Sequence, residues 1–353
     1  MIDFSFERMK RVEENHALWW EHRLNRPLAC VTVRDVRKPE KPYLHRVLGQ
    51  ANCHDFSIPA KDVIADLDTA LSTRAYLGDA YPYVNFDAFG PGSLAAFLGA
   101  KVDNRTGGVW FFPQEKQEIA DIHLHYDPEN VWVKRIKDIY RAGLERWGTL
   151  VKLGLPDLGG VMDVVATFVG TEELLMALID EPEEVMRLVG EAESAWVTAY
   201  NDFASVLAPQ GGVTDWWGLW NRESGYILQC DFSYMIGNPM FREFVLPTLN
   251  RDTGRLNNTI YHLDGKGELK HLDTLLALPN LNAIQWVPGD GTPTGIVWKE
   301  VYEKVIAAGK GASVVGNPQE VAEVVKALHD NLHFNFSLPT SQKNVAQELL
   351  NIR

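Results

Sequence analysis

Between Asn257 and Pro293 the chain reads NNTIYHLDGKGELKHLDTLLALPNLNAIQWVPGDGTP. Thr259, Ile260 and Tyr261 form a β-rich run that stops at His262-Leu263-Asp264-Gly265, so polar side chains arrive where a strand ends and a glycine turn begins. Leu269, Leu272, Leu275, Leu276 and Leu278 then keep helical spacing, and Pro279 closes that segment before a second strand over 281–287. The second strand also ends in a glycine-rich turn, Pro288-Gly289-Asp290-Gly291. A strand, a helix and a strand in this order predict a parallel pair, because a tight hairpin joins antiparallel neighbours only.

The same alternation runs through most of the chain. Residues 5–24 read as a helix, with Met9, Val12, His16, Trp19 and Trp20 near a 3.6-residue spacing, followed by a strand over 28–33. Residues 36–59 lose all periodicity and read as a long loop. Helices are expected over 60–76, 93–98, 128–147, 171–179, from Pro182 to about Phe203, and over 241–256, 298–308, 318–331 and 342–351. Thr171 is the expected cap of its helix. Strands are expected over 81–86, 149–155, 313–315 and 333–337, with a small hairpin around 107–112. Eight core strands are counted when 226–231 shares one position with 212–217. The expected fold is therefore an α/β protein, a (β/α)8 TIM barrel with an N-terminal helical extension over 1–26 and long loops. One domain over 1–353 is expected, since no repeat or flexible linker interrupts the pattern.

Composition narrows the function classes. Acidic residues outnumber basic ones, 47 to 34, for a net charge of −13, and no Lys/Arg block stands out, which argues against nucleic acid. Cys30, Cys53 and Cys230 are odd in number and far apart, so neither a disulfide framework nor a CxxC metal knuckle is expected. The charged start lacks an apolar leader, and no apolar run reaches membrane-span length. A cytoplasmic setting fits.

In parallel α/β barrels, chemistry gathers where strands end. The polar residues at those positions are Asn85, Asp87, Asp157, Asp215, Cys230, Asp231, His262, Asp264 and Trp286. His262 and Asp264 are two residues apart, so on an extended chain both point to one side. That spacing suits two ligands on one metal or an acid–base pair. A plainer reading stays open beside it: His262 bonded within the core and Asp264 capping the next helix. His262, Asp264 and Asp231 are the candidate catalytic residues, and Asn85, Asp157, Trp217 and Trp286 the candidate substrate contacts. A metal site would take His262, Asp264 and Cys230. Trp216, Trp217, Trp220 and Trp286 together would make an indole-lined mouth able to cage a methylated cation, or equally to stack on a sugar. His271 and His329 read as helix-surface residues.

YHLDGKGELKHLDTLL followed by AIQWVPGDG resembles the matching part of the uroporphyrinogen decarboxylase superfamily, which also holds the methylcobalamin:coenzyme M methyltransferases. DFSYMIGNPMFREFVLPTL, VVGNPQEV and HFNFSLPTSQKNVAQEL are similar, in order, to later blocks of that superfamily, and the likeness extends from Pro27 onward. It implies the same barrel. In the methyltransferase branch it would place a zinc-binding His-x-Cys pair at His262 and Asp264, with another cysteine on the last strand. Here Asp264 stands in place of that first cysteine, and Phe334-Asn335-Phe336-Ser337-Leu338-Pro339 has none. True uroporphyrinogen decarboxylases carry an Arg-Gln-Ala-Gly-Arg-Tyr loop after the first strand, where this chain has Arg34-Asp35-Val36-Arg37-Lys38. They also carry Gly-His-Gly after the last strand, where this chain has Ser337-Leu338-Pro339. Asp87 is the counterpart of their aspartate after the second strand.

The expected function is a methyltransferase moving a methyl group between a small donor, or methylcobalamin, and an acceptor. Zinc and a corrinoid are the expected cofactors. A small-molecule substrate and a corrinoid protein are the expected partners, with a homodimer as a possible assembly. A decarboxylase and a barrel that binds without turnover are the alternatives.

Overall fold

The computed structural model describes residues 1–45, 53–105 and 107–352, so part of the expected loop over 36–59 lies outside the described residues. In chain order the strands are β1 Leu28–Arg34, β2 Ala75–Gly78, β3 Tyr83–Val84, β4 Lys101–Asp103, β5 Trp110–Phe112, β6 Lys152–Leu153, β7 Val213–Thr214, β8 Trp220–Asn221, β9 Gly225–Gln229, β10 Asn258–Asp264, β11 Ala283–Val287, β12 Gly311–Val314 and β13 Leu332–Pro339. The central sheet runs β2-β1-β13-β12-β11-β10-β9. Every pair in it is parallel except β1 with β2. Beyond it β3 pairs with β6 in parallel, and Gly154, just after β6, bridges in parallel to Thr214 of β7. The protein is thus a mixed α/β structure built on a parallel sheet with helices packed around it.

Both sheet faces are covered, which is why β9, β11 and β12 are near-continuous apolar runs rather than alternating ones. Each crossover supplies its own cover. The helix Val131–Trp147 starts where the Asn130 side chain accepts from the Trp132 N–H, a cap that contributes about 1 kcal/mol. It buries Val133, Ile136, Ile139 and Tyr140. The Tyr140 hydroxyl donates to the Gly154 carbonyl, tying helix to strand end. The N-terminal helix Phe6–Trp20, capped by Ser5, docks through two indole N–H groups: Trp19 donates to the Leu332 carbonyl and Trp20 to that of Trp220. No helix among the described residues is long and apolar enough to cross a membrane.

Several local expectations are corrected. The helix expected over 60–76 ends at Ser72, and Ala75–Gly78 instead adds an antiparallel strand to β1, since the Ala75–Gly78 backbone meets β1 in register. Thr171 is the first helical residue and Gly170 is its cap. A helix over Val161–Val169 was not expected. It follows Gly160, which offers no capping side chain, and is rich in β-branched residues, so neither propensity nor capping announces it. His271 is fully buried rather than exposed: its ring stacks on Phe241, and its nitrogens meet Asn238 and the Ser233 carbonyl.

Candidate functional site

Three side chains meet at one end of the parallel sheet. One potential ligand atom each from His262, Asp264 and Asp231 lie within 4.8 Å of one another. His262 and Asp264 lie in the last three residues of β10, two positions apart and hence on one side. Gly265 then turns the chain away with φ of 80°, and its N–H donates to the Val287 carbonyl of β11. Asp231 opens the short 3-10 turn Asp231–Met235, immediately after β9 and Cys230. Asp163, in the first turn of Val161–Val169, holds that turn by accepting from the N–H groups of Asp231 (3.1 Å) and Phe232 (2.7 Å). Glu268, fully buried, accepts from the Asp264 N–H and leaves its other oxygen without a partner.

This end of the molecule is acidic and unneutralised. Among the described residues no ion pair involves Asp157, Asp163, Asp231, Asp264 or Glu268. Burial, then the charge of Asp231, pushes Asp163 up to about 7. Asp231 keeps an exposed edge, yet the protein mass around it and the Asp264 charge push it up to about 6. Asp157 rises to about 7 through burial, against the Gly159 N–H that its side chain accepts. Burial and the Asp231 charge hold Glu268 well above the usual carboxylate range. His262 moves the other way: burial lowers it, although a hydrogen bond from its Nδ1 to Gln285 opposes the shift. Carboxyls pushed up in this way keep their protons to a higher pH than ordinary carboxylates do.

Aromatic groups close one side. The Trp216 ring stands edge-on to His262 at 5.5 Å. Asp215, fully buried and pushed up to about 7 by burial, fixes this loop by accepting from the N–H groups of Trp217 and Leu219. The turn needs Gly218, with φ of 86°, because a Cβ there would meet the Tyr83 ring at 2.8 Å. The Trp217 indole donates to Ser313, and its carbonyl accepts from Asn335. Asn335 also lines a cavity of about 710 Å³ at the ends of β1, β3 and β13, with Asn85, Asp87, Tyr83, Arg74 and Ser337 as further polar lining. None of His262, Asp264 and Asp231 lines this cavity; Trp217 reaches its lining through the bond from Asn335 and stands edge-on to Trp216, which in turn meets His262.

Not every expected residue joins the site. Trp286 is 0 % exposed and packs on Trp298 at 5.1 Å. Strand alternation puts its neighbour Gln285, not Trp286, on the face of His262. Trp220 lies under the Lys152 ammonium, 4.1 Å from its ring centre, beside the N-terminal helix. The four-indole mouth is therefore reduced to Trp216 and Trp217. Cys230 is 1 % exposed and outside the three-ligand group, with its thiol held well up by burial; its neighbour Asp231 takes the place expected for it. Asn85 lines the cavity, and Asp157 stands among the acids behind the triad. Asp163, Glu268 and Gln285 are the residues that sequence reasoning missed. The one available signal was the i, i+4 spacing of Asp264 and Glu268.

No protein-family model matches the chain, and no curated protein matches it by sequence. Among solved structures the fold matches a methyltransferase from Methanosarcina mazei with a TM-score of 0.62, at 13% identity, over 96% of this chain and 97% of that one. The chain thus shares its α/β fold, from end to end, with that methyltransferase.

Proposed function

We propose that this protein is a methyltransferase on a (β/α)8 barrel of the uroporphyrinogen decarboxylase superfamily, moving a methyl group from a small donor or methylcobalamin to a nucleophilic acceptor. The observation that carries the reading is the convergence of one imidazole and two carboxylates at parallel strand ends, where no lysine or arginine forms an ion pair with them among the described residues. The end-to-end fold likeness to a methyltransferase supports it.

The donor set fits a catalytic zinc ion. Three protein ligands with one position left open is the arrangement of catalytic rather than structural zinc, and His with carboxylate oxygens is an accepted combination. His262, Asp264 and Asp231 would hold the ion. When bound, zinc lowers the pKa of an acceptor and holds it as a nucleophile at neutral pH. The chain's own groups do the rest. Trp216 shields one side of His262 from water. Asp163, pushed up to about 7 beside Asp231, is a sink of suitable affinity for the proton the acceptor loses. The cavity of about 710 Å³ is within the range of small-molecule sites and has apolar walls with a polar pole of Asn85, Tyr83 and Asn335, while the triad itself stands outside its lining.

The test is transfer of the methyl group from methylcobalamin to a panel of thiols and hydroxyl acceptors, with and without zinc, followed by loss of the methylcobalamin absorbance. Transfer that disappears in His262→Ala supports the reading. Carbon dioxide release from a carboxylated substrate, with no methyl transfer, would replace it with a decarboxylase.

A further inference from the structure

We propose that Gln285 is a positioning residue: its side-chain oxygen holds His262 as the Nδ1–H tautomer, leaving the Nε2 lone pair as the atom this ring offers to a cation. The cation part rests on the reading above; the tautomer part does not.

Parallel pairing of β10 with β11 sets His262 opposite Gln285, so the two side chains project from the same face. Gln285 Oε1 meets His262 Nδ1 in a short hydrogen bond. Among the described residues this is the imidazole's one hydrogen bond. Asp231 and Asp264 approach within 4.8 Å, yet neither is bonded to the ring. A proton on Nε2 in such acidic surroundings would find a carboxylate acceptor, so the missing bond points to the proton being on Nδ1. An amide oxygen is the right acceptor there. It fixes the tautomer without adding a further negative charge to five gathered acids.

The amide is itself confined. Gln285 is 0 % exposed, and its register neighbour on the far side is Ser313, whose hydroxyl is already engaged by Trp217 and His333. Trp216 stands edge-on to the imidazole at 5.5 Å. The ring's tilt and its proton are thus set by two residues that, among the described residues, form no hydrogen bond to a carboxylate of the site. Groups that orient a ligating histidine in this way change metal affinity about 10- to 100-fold when removed.

The experiment uses the full chain with 15N-labelled histidine, as wild type, Gln285→Leu and Gln285→Glu. The readouts are the ring-nitrogen shifts of His262 without metal and the zinc dissociation constant by chelator competition. The proposal expects the Nδ1–H pattern in the wild type. It expects mixed tautomers and about 10- to 100-fold weaker zinc in Gln285→Leu. In Gln285→Glu, which keeps the acceptor oxygen, the wild-type tautomer should persist. A wild-type ring protonated at Nε2 overturns the proposal, as does a folded Gln285→Leu variant with unchanged tautomer and affinity. If Gln285→Leu does not fold, the wild-type and Gln285→Glu spectra decide. A wild type with the Nδ1–H pattern, scrambled in Gln285→Leu, but with no zinc bound by either protein would support the positioning role and refute the metal reading.

Discussion

Zinc should stabilise this protein through His262, Asp264 and Asp231, and the size of the effect can be worked out. Unfolding entropy of about 2.1 cal/mol/K per residue, over 353 residues, gives roughly 0.7 kcal/mol for each degree of Tm. Free zinc at about 100 times its Kd adds about 2.7 kcal/mol, hence a rise of about 4 °C. His262→Ala or Asp231→Asn removes one of three ligands. A roughly 40-fold loss of affinity would leave about 0.7 kcal/mol at the same zinc concentration, a rise of only about 1 °C.

The pH dependence is a second, independent signature of the same site. Asp231 is pushed up to about 6, so zinc must displace a proton that an ordinary carboxylate would already have lost. Affinity should fall by about tenfold per pH unit for each proton displaced as pH drops below 6, whereas a site of ordinary carboxylates would stay nearly flat between pH 5 and 7. His262, whose pKa is lowered by burial, adds less to that slope than an ordinary histidine would. The metal-free protein should show the reverse trend. Acids with raised folded pKa values hold protons that the unfolded chain has released, so stability falls as pH rises from about 4 to about 7. Scanning calorimetry at several pH values, with zinc and with chelator, reads both effects. An equal zinc-induced rise in wild type and His262→Ala, or one independent of pH, would refute the reasoning.

Two further outcomes test corrections to the sequence reading. Trp286→Ala should destabilise by about 3–5 kcal/mol in denaturant unfolding, as for a large core truncation, while zinc affinity stays within about twofold, because the indole faces Trp298 rather than the triad. Cys230 should resist alkylation in the folded protein at pH 8, and Cys230→Ser should keep the full zinc stoichiometry; a lost equivalent of zinc would restore the thiol to the ligand set.

Much of the architecture was legible because it depends on order and periodicity. The β10–helix–β11 unit needs only a β-rich run, a leucine stripe and two glycine turns in sequence, and the parallel pairing follows. The site was half legible for a reason of parity. His262 and Asp264 share a strand, so their common direction can be read from their spacing alone. The choice between Gln285 and Trp286, or between Cys230 and Asp231, depends on which face of its own strand each residue occupies relative to β10. Register fixes that, and register is set by tertiary pairing. Strand-end position therefore located the right height in the sheet and the wrong face for Trp286. Asp163 was out of reach because its helix has no side-chain cap and a β-branched composition.

Two other buried acids of the chain, Glu193 and Asp79, are each paired with arginine. Glu193 is buried, but its bonds to Arg251 and Arg255 outweigh that burial and hold its pKa below the ordinary value. Asp79 is likewise buried, and a two-pronged contact from Arg26 holds it low. These are the solutions a stable fold uses, since an unpaired buried charge costs several kcal/mol. At the end of the sheet the same chain gathers Asp157, Asp163, Asp231, Asp264 and Glu268, and among the described residues neither lysine nor arginine is paired to any of them. Neutral amides at those positions would keep most of the hydrogen bonds and remove the mutual repulsion. The proposed metal ion would carry the missing positive charge, with His262, bonded to Gln285, as its nitrogen ligand.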